Sequence, residues 1–236
     1  GLFYIKKGRS NQEEGVQIPM TVSVEPFLKQ LPFELTSGQK KVWKEIERDL
    51  AAHKPMNRLV QGDVGSGKTI LALLALLMTV KNGYQGCLMV PTEVLAKQHF
   101  DSAKKILEPF GVTITLLVGS MTAKEKREAY SKMQAQETDV IIGTHALVSD
   151  ATVFCDLGLV ITDEQHRFGV AQRARLSAKG EDPHLLVMSA TPIPRTLALL
   201  MYGDLEVSIL DERPPGREDV DTFLVNESYR PRINAF

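Results

Sequence analysis

The string Gly62-Asp63-Val64-Gly65-Ser66-Gly67-Lys68-Thr69 fits the pattern G-x-x-x-x-G-K-[ST] at every fixed position, and an acidic string, Asp163-Glu164-Gln165-His166, stands further along the chain. Gly62, Gly65 and Gly67 let backbone amides turn inward toward phosphate oxygens, at the positive end of a following helix. Lys68 then places a point charge near the β and γ phosphates, while the Thr69 hydroxyl suits the magnesium ion that accompanies ATP. Hydrolysis needs a metal anchor and a group that orients the attacking water. Asp163 is the candidate anchor, acting through water, and Glu164 the candidate for orienting the nucleophile. Ser189-Ala190-Thr191-Pro192 offers hydroxyls that could bond to the carboxylate or imidazole of the acidic string. A relay through Gln165 and His166 to that turn would sense the γ phosphate. The chemistry these residues point to is binding and hydrolysis of ATP.

Such a loop works only where a strand feeds it and a helix leaves it. Residues 58–61 read as a short buried strand, and 70–80 form an apolar run with no Gly or Pro before Gly83. That run falls short of the roughly 20 residues of a membrane span and predicts a core helix. Strand-like runs recur at 87–90, 114–118, 140–142, 157–162 and 185–188, separated by helical stretches. This alternation predicts an α/β domain with a mostly parallel sheet flanked by helices. Ligands of such sheets gather at the carboxyl ends of the strands. The residues there are Pro91-Thr92-Glu93, Gly119-Ser120, Gly143-Thr144-His145, Asp163-Glu164 and Ser189-Ala190-Thr191. Of these, Thr92, Gly119, Ser120, Gly143 and Thr144 are small donors suited to gripping a phosphodiester backbone without reading bases. Arg167, Arg173, Arg175 and Arg195 add positive charge in the same region, and each also reads as plain solvated surface.

The chain has 236 residues, 43% of them hydrophobic, and a formal net charge of -1. Any nucleic-acid surface must therefore be local. Cys87 and Cys155 sit alone in apolar stretches, with no metal spacing or disulfide framework; both read as core residues of a protein in a reducing interior. No secretory signal is visible, and the opening Gly1 suggests a piece of something longer. Residues 1–30 lack the alternation and read as the tail of a preceding module or a linker. The sheet domain is expected over 31–213, and 214–236 as the connection to a further unit. The mixed-sign run 124–128 reads as a solvated helix face.

In order along the chain, GDVGSGKT, PTEVLAKQH, GTHAL, DEQH and SATP resemble motifs I, Ia, Ib, II and III of the superfamily 2 helicases. The flanking strings LPFELTSGQ, DEQHRFGVAQR, SATPIPRTLAL and DERPPGR look most like the RecG family of bacterial DNA helicases, over about residues 31–217. The resemblance implies a RecA-like P-loop fold, a cytoplasmic motor, and remodelling of branched double-stranded DNA such as stalled forks and Holliday junctions in recombination and repair. It also implies that Phe33 and Leu35 pack on adenine and that Gln39 bonds to its edge. A helix entry with Thr36 as N-cap is the plainer alternative, and both can hold. Superfamily 2 motors complete their catalytic cleft with arginines from a second RecA-like domain. Such an arginine is worth on the order of a thousandfold or more in rate, so slow hydrolysis is expected of this chain alone. The transcription-repair coupling translocases share HRFGV and ATPIPRT but usually carry Glu where this chain has Gln165. An RNA helicase, or a P-loop protein that is no motor, also remains open. A GTPase does not, for no guanine-reading N-K-x-D string is present.

Overall fold

The structure, a computed structural model of the chain, describes residues 16–19, 23–163, 170–191 and 205–211. Seven strands form one sheet: β1 Asn57–Gly62, β2 Gln85–Met89, β3 Ile114–Leu117, β4 Val140–Gly143, β5 Leu157–Thr162, β6 His184–Ser189 and β7 Glu206–Leu210. They lie in the order β3-β4-β2-β5-β6-β1-β7, and every pairing is parallel. Parallel strands need crossovers, and helices supply them. The described helices are α1 Glu25–Gln30, α2 Ser37–Leu50, α3 Lys68–Lys81, α4 Glu93–Leu107, α5 Ala123–Gln134 and α6 Val170–Ser177. Because helices cover both faces, inner strands need no polar side, and every residue of β2 and β5 is buried.

The helix predicted over 70–80 is α3, apolar on all sides and buried continuously from Ile70 to Thr79. A helix with no polar face belongs inside a domain, and α3 packs beneath β1, β2 and β5. It is the rigid body that carries the phosphate loop. By contrast α2 is amphipathic, burying Val42, Trp43, Ile46 and Leu50 on one stripe. The face of α2 also binds Arg58 of β1, a buried guanidinium held by Asp49 at 2.7 Å, Glu45 at 3.1 Å and the Ser208 hydroxyl of β7 at 2.6 Å. A buried charge needs such partners, and here they lock β1 between α2 and β7.

The run 124–128 lies on α5 and is mostly exposed, as its charge pattern predicts. Three features depart from expectation. Strand β7 was not foreseen; it is an edge strand with few buried positions, so its apolar signal is weak. Within 1–30, read as the tail of a preceding module or a linker, Ile18 and Phe27 are fully buried in the main core. Cys155 is exposed, its thiol donating to Gln136 Oε1, whereas Cys87 is fully buried and desolvation pushes its thiol up to about 12. A short apolar neighbourhood in sequence does not distinguish a strand interior from the loop that precedes β5.

Candidate functional site

The loop 62–69 leaves the end of β1 and enters α3. Gly65 and Gly67 hold φ of 82° and 88°, backbone conformations that side chains disfavour. Gly67 is the N-cap of α3 and offers no capping side chain, so the first-turn amides face the loop itself. The Ser66 hydroxyl is buried there without a hydrogen-bond partner. Lys68 extends across the loop, its ammonium donating to the Gly62 carbonyl at 2.6 Å and the Asp63 carbonyl at 2.9 Å. Asp63 in turn accepts from the Val64 amide, leaving Val64 exposed at the rim. A curl of main chain with a lysine over it is an anion cradle.

Sheet order brings the other motifs to it. Strand β6 lies between β1 and β5, so Ser189-Ala190-Thr191 stands between the phosphate loop and Asp163. All three strands are parallel, and their carboxyl ends share one edge. Asp163 is anchored by its amide to the Met89 carbonyl at 2.9 Å, and its Oδ2 lies 3.1 Å from Nε2 of His99 on α4. The hydroxyl of Ser189 bonds within its own turn, to Thr191. Glu164, Gln165, His166, Arg167 and Arg195 lie outside the described residues, as does the side chain of Arg173.

Thr36 and Gln39 form a reciprocal capping box on α2. The Gln39 Nε2 also donates 2.8 Å to the Ser66 carbonyl, tying helix entry to phosphate loop. Phe33 is 49% exposed and available to stack, while Leu35 is 6% exposed and belongs to the core. Of the expected adenine contacts, Phe33 has the open face and Leu35 does not. Both line an open groove of about 550 Å³ beside α1.

At the β3–β4 end of the edge, Thr92 caps α4, accepting from the Leu95 amide. Glu93 receives both the amide, at 2.9 Å, and the hydroxyl of Ser120, and these bonds hold its carboxyl below the usual range. Gly143 and Thr144, expected to grip a phosphodiester backbone, stand where β4 ends. Both are buried, and Thr144 is only 2% exposed. A Cβ on Gly143 would stand 2.2 Å from the Leu117 carbonyl, so strand packing here requires glycine. The exposed polar group of that motif is His145. It lines a cavity of about 530 Å³ with Gly119, Lys126, Tyr130 and Arg175. His145 stands among the strand-end residues but not among the small donors singled out there, and Lys126 escaped because it lies on α5, six residues past Ser120. Arg175 pairs with Asp150 at 3.1 Å.

A phosphate loop on β1, an acidic strand end on β5 and a hydroxyl turn between them define a RecA-like P-loop nucleotide-binding domain. A family model described as DEAD/DEAH box helicase matches residues 36–200, and the chain belongs to that family. It is 50% identical over 210 residues to the ATP-dependent DNA helicase RecG of Bacillus subtilis (strain 168), covering 89% of this chain and 31% of that protein. The ATP-dependent DNA helicase RecG of Aquifex aeolicus (strain VF5) is 53% identical over 208 residues, covering 87% of this chain and 26% of the relative. A solved structure of RecG bound to a three-way DNA junction superposes with a TM-score of 0.82 at 45% identity, over 95% of this chain and 30% of that one. The chain thus spans less than a third of the length of these relatives. Among the described residues no helix is long and apolar enough to cross a membrane.

Proposed function

We propose that residues 31–213 form the ATP-binding motor domain of a superfamily 2 DNA helicase that remodels branched double-stranded DNA in the cytoplasm. In this reading 1–30 connects to a preceding module and 214–236 to a second RecA-like domain. The observation that carries it is the convergence of the phosphate loop, Asp163 and the Ser189 turn on adjacent strand ends, in a chain half identical to RecG helicases.

In this reading the backbone of Gly62, Asp63, Val64, Gly65, Ser66, Gly67, Lys68 and Thr69 wraps the phosphates, and the Lys68 ammonium exchanges loop carbonyls for phosphate oxygens. Phe33 stacks on the base with Leu35 behind it, and Gln39 reaches it with whatever bonding capacity the Thr36 box and Ser66 leave. Thr69 and Asp163 are oxygen donors at the mouth of the loop and the end of β5, a hard set that fits magnesium bound together with nucleotide phosphates. Magnesium there would neutralise charge developing on the transferred phosphoryl group. Glu164 orients the attacking water, and Gln165 and His166 with Ser189, Ala190 and Thr191 couple the outcome to domain movement. Pro91, Thr92, Gly119 and Ser120, joined by His145 and Lys126, face the phosphodiester backbone.

The deciding experiment is ATP hydrolysis by a chain extended to the length of the RecG relatives, with forked DNA, linear duplex or single strand at one salt concentration. Strong preference for the fork is expected. Equal stimulation by linear duplex would assign a coupling-type translocase, and stimulation by RNA alone an RNA motor. The chain by itself is expected to bind ATP and to turn it over slowly.

A further inference from the structure

We propose that His99 is a positioning residue for the Asp163 carboxylate, and that α4 thereby joins the phosphodiester-facing loop at Ser120 to the hydrolytic centre in one rigid piece. This rests on the reading of Asp163 as metal anchor given above.

The contact is close and shielded. His99 Nε2 stands 3.1 Å from Asp163 Oδ2, and the two side chains are only 13% and 14% exposed, so water competes poorly for either. The main chain of Asp163 is already fixed by its amide bond to Met89. An imidazole nitrogen 3.1 Å from one carboxylate oxygen restrains rotation of the Asp163 side chain. Outer partners of this kind orient metal-ligating carboxylates and tune the site as much as the ligands do.

The helix that carries His99 is fastened at both ends of the path. Ala96, Ala103 and Leu107 are fully buried, so α4 cannot roll independently of the sheet. At its first turn Thr92 caps it and Glu93 grips the amide and hydroxyl of Ser120. From Glu93 to His99 the helix rises about 9 Å, so a displacement imposed at the Ser120 loop reaches Asp163 through rigid backbone. The DNA-facing loop and the metal carboxylate are two attachments of one rod.

The test uses this chain and a fluorescent N-methylanthraniloyl ATP, titrated with magnesium and with EDTA. His99→Ala and His99→Asn should weaken binding about tenfold in magnesium and leave it unchanged in EDTA. His99→Gln, whose amide reaches the place of Nε2, should restore the magnesium affinity. Lys68→Ala must weaken binding under both conditions. If Lys68→Ala binds as the parent does, or the parent binds no nucleotide, the phosphate-loop reading itself fails and takes this inference with it. With that control satisfied, the proposal is overturned by any of three results: unaltered magnesium affinity in His99→Ala, equal losses in magnesium and EDTA, or His99→Gln performing no better than His99→Asn. Should His99→Ala fail to fold, the Gln and Asn pair decides the matter alone.

Discussion

At the end of β1 the loop 62–69 owes its shape to main-chain conformation, with two left-handed glycines and a lysine resting on carbonyls. At the ends of β2 and β3 the corresponding loops are held by side chains, Glu93 accepting from the Ser120 amide and hydroxyl and Lys126 donating to the Gly119 carbonyl. On the function proposed above, the difference follows from the ligands. A triphosphate is small and its oxygens must be surrounded, which only bare backbone can do. A duplex backbone is broad and is met by a surface, where side chains suffice. One consequence is that the same residue type plays opposite parts at the two places. Gly67 is there for its conformation and Gly143 for its lack of bulk.

Substituting both glycines by alanine separates these roles most sharply. In Gly143→Ala the new Cβ would lie 2.2 Å from the backbone oxygen of Leu117, and backbone cannot swing aside. Overpacking of this kind costs about 1–3 kcal/mol, and a chain of this size loses about 2–4 °C in Tm for each kcal/mol. A fall in Tm of several degrees is expected, with nucleotide affinity of the folded protein unchanged. Gly67→Ala should show the reverse emphasis. Its Cβ would collide with the Gln39 side chain and adopt a φ of 88°, strain concentrated in the loop. Strain of about 1–3 kcal/mol there predicts nucleotide binding weaker by roughly tenfold or more, measured by titration, with a smaller change in Tm. If Gly143→Ala lost nucleotide binding while staying folded, the two ends would not be independent.

The smallest effect is one of pH. The Ser120 hydroxyl and amide hold the Glu93 carboxyl below its ordinary value of 4.5. A depressed folded value means that the bond contributes fully above 4.5 and is lost as pH falls through the lower folded value. The Ser120 amide resonance should therefore titrate with a midpoint below 4.5. A Ser120 midpoint at or above the ordinary value would show that the side-chain clasp is not closed.

Much of this was legible in the sequence because it is local. The loop glycines announce their conformation, each strand from β2 to β6 contains a short apolar run, and α3 is apolar from Ile70 to Met78. What escaped is tertiary. His99 earns its place only through Asp163, sixty-four positions away in the numbering, and no local pattern marks that meeting. Thr144 looks like other small polar residues at strand ends, and burial separates it from Ser120. Strand β7 alternates weakly because it is an edge, and Ile18 and Phe27 stand too far apart to form a pattern.

The sheet order also bears on how the domain comes to exist. Strand β1 pairs with β6 and β7 and with no strand made between them. During synthesis, residues 57–62 must wait for 184–189 and 206–210 before they have any sheet to join. Long-range parallel pairing is slow, and unpaired strands are exposed to misassembly meanwhile. A nascent chain cut short before β6 would contain every glycine of the phosphate loop and Lys68, yet have no seat for them. The motif is written early, and the cradle is finished last.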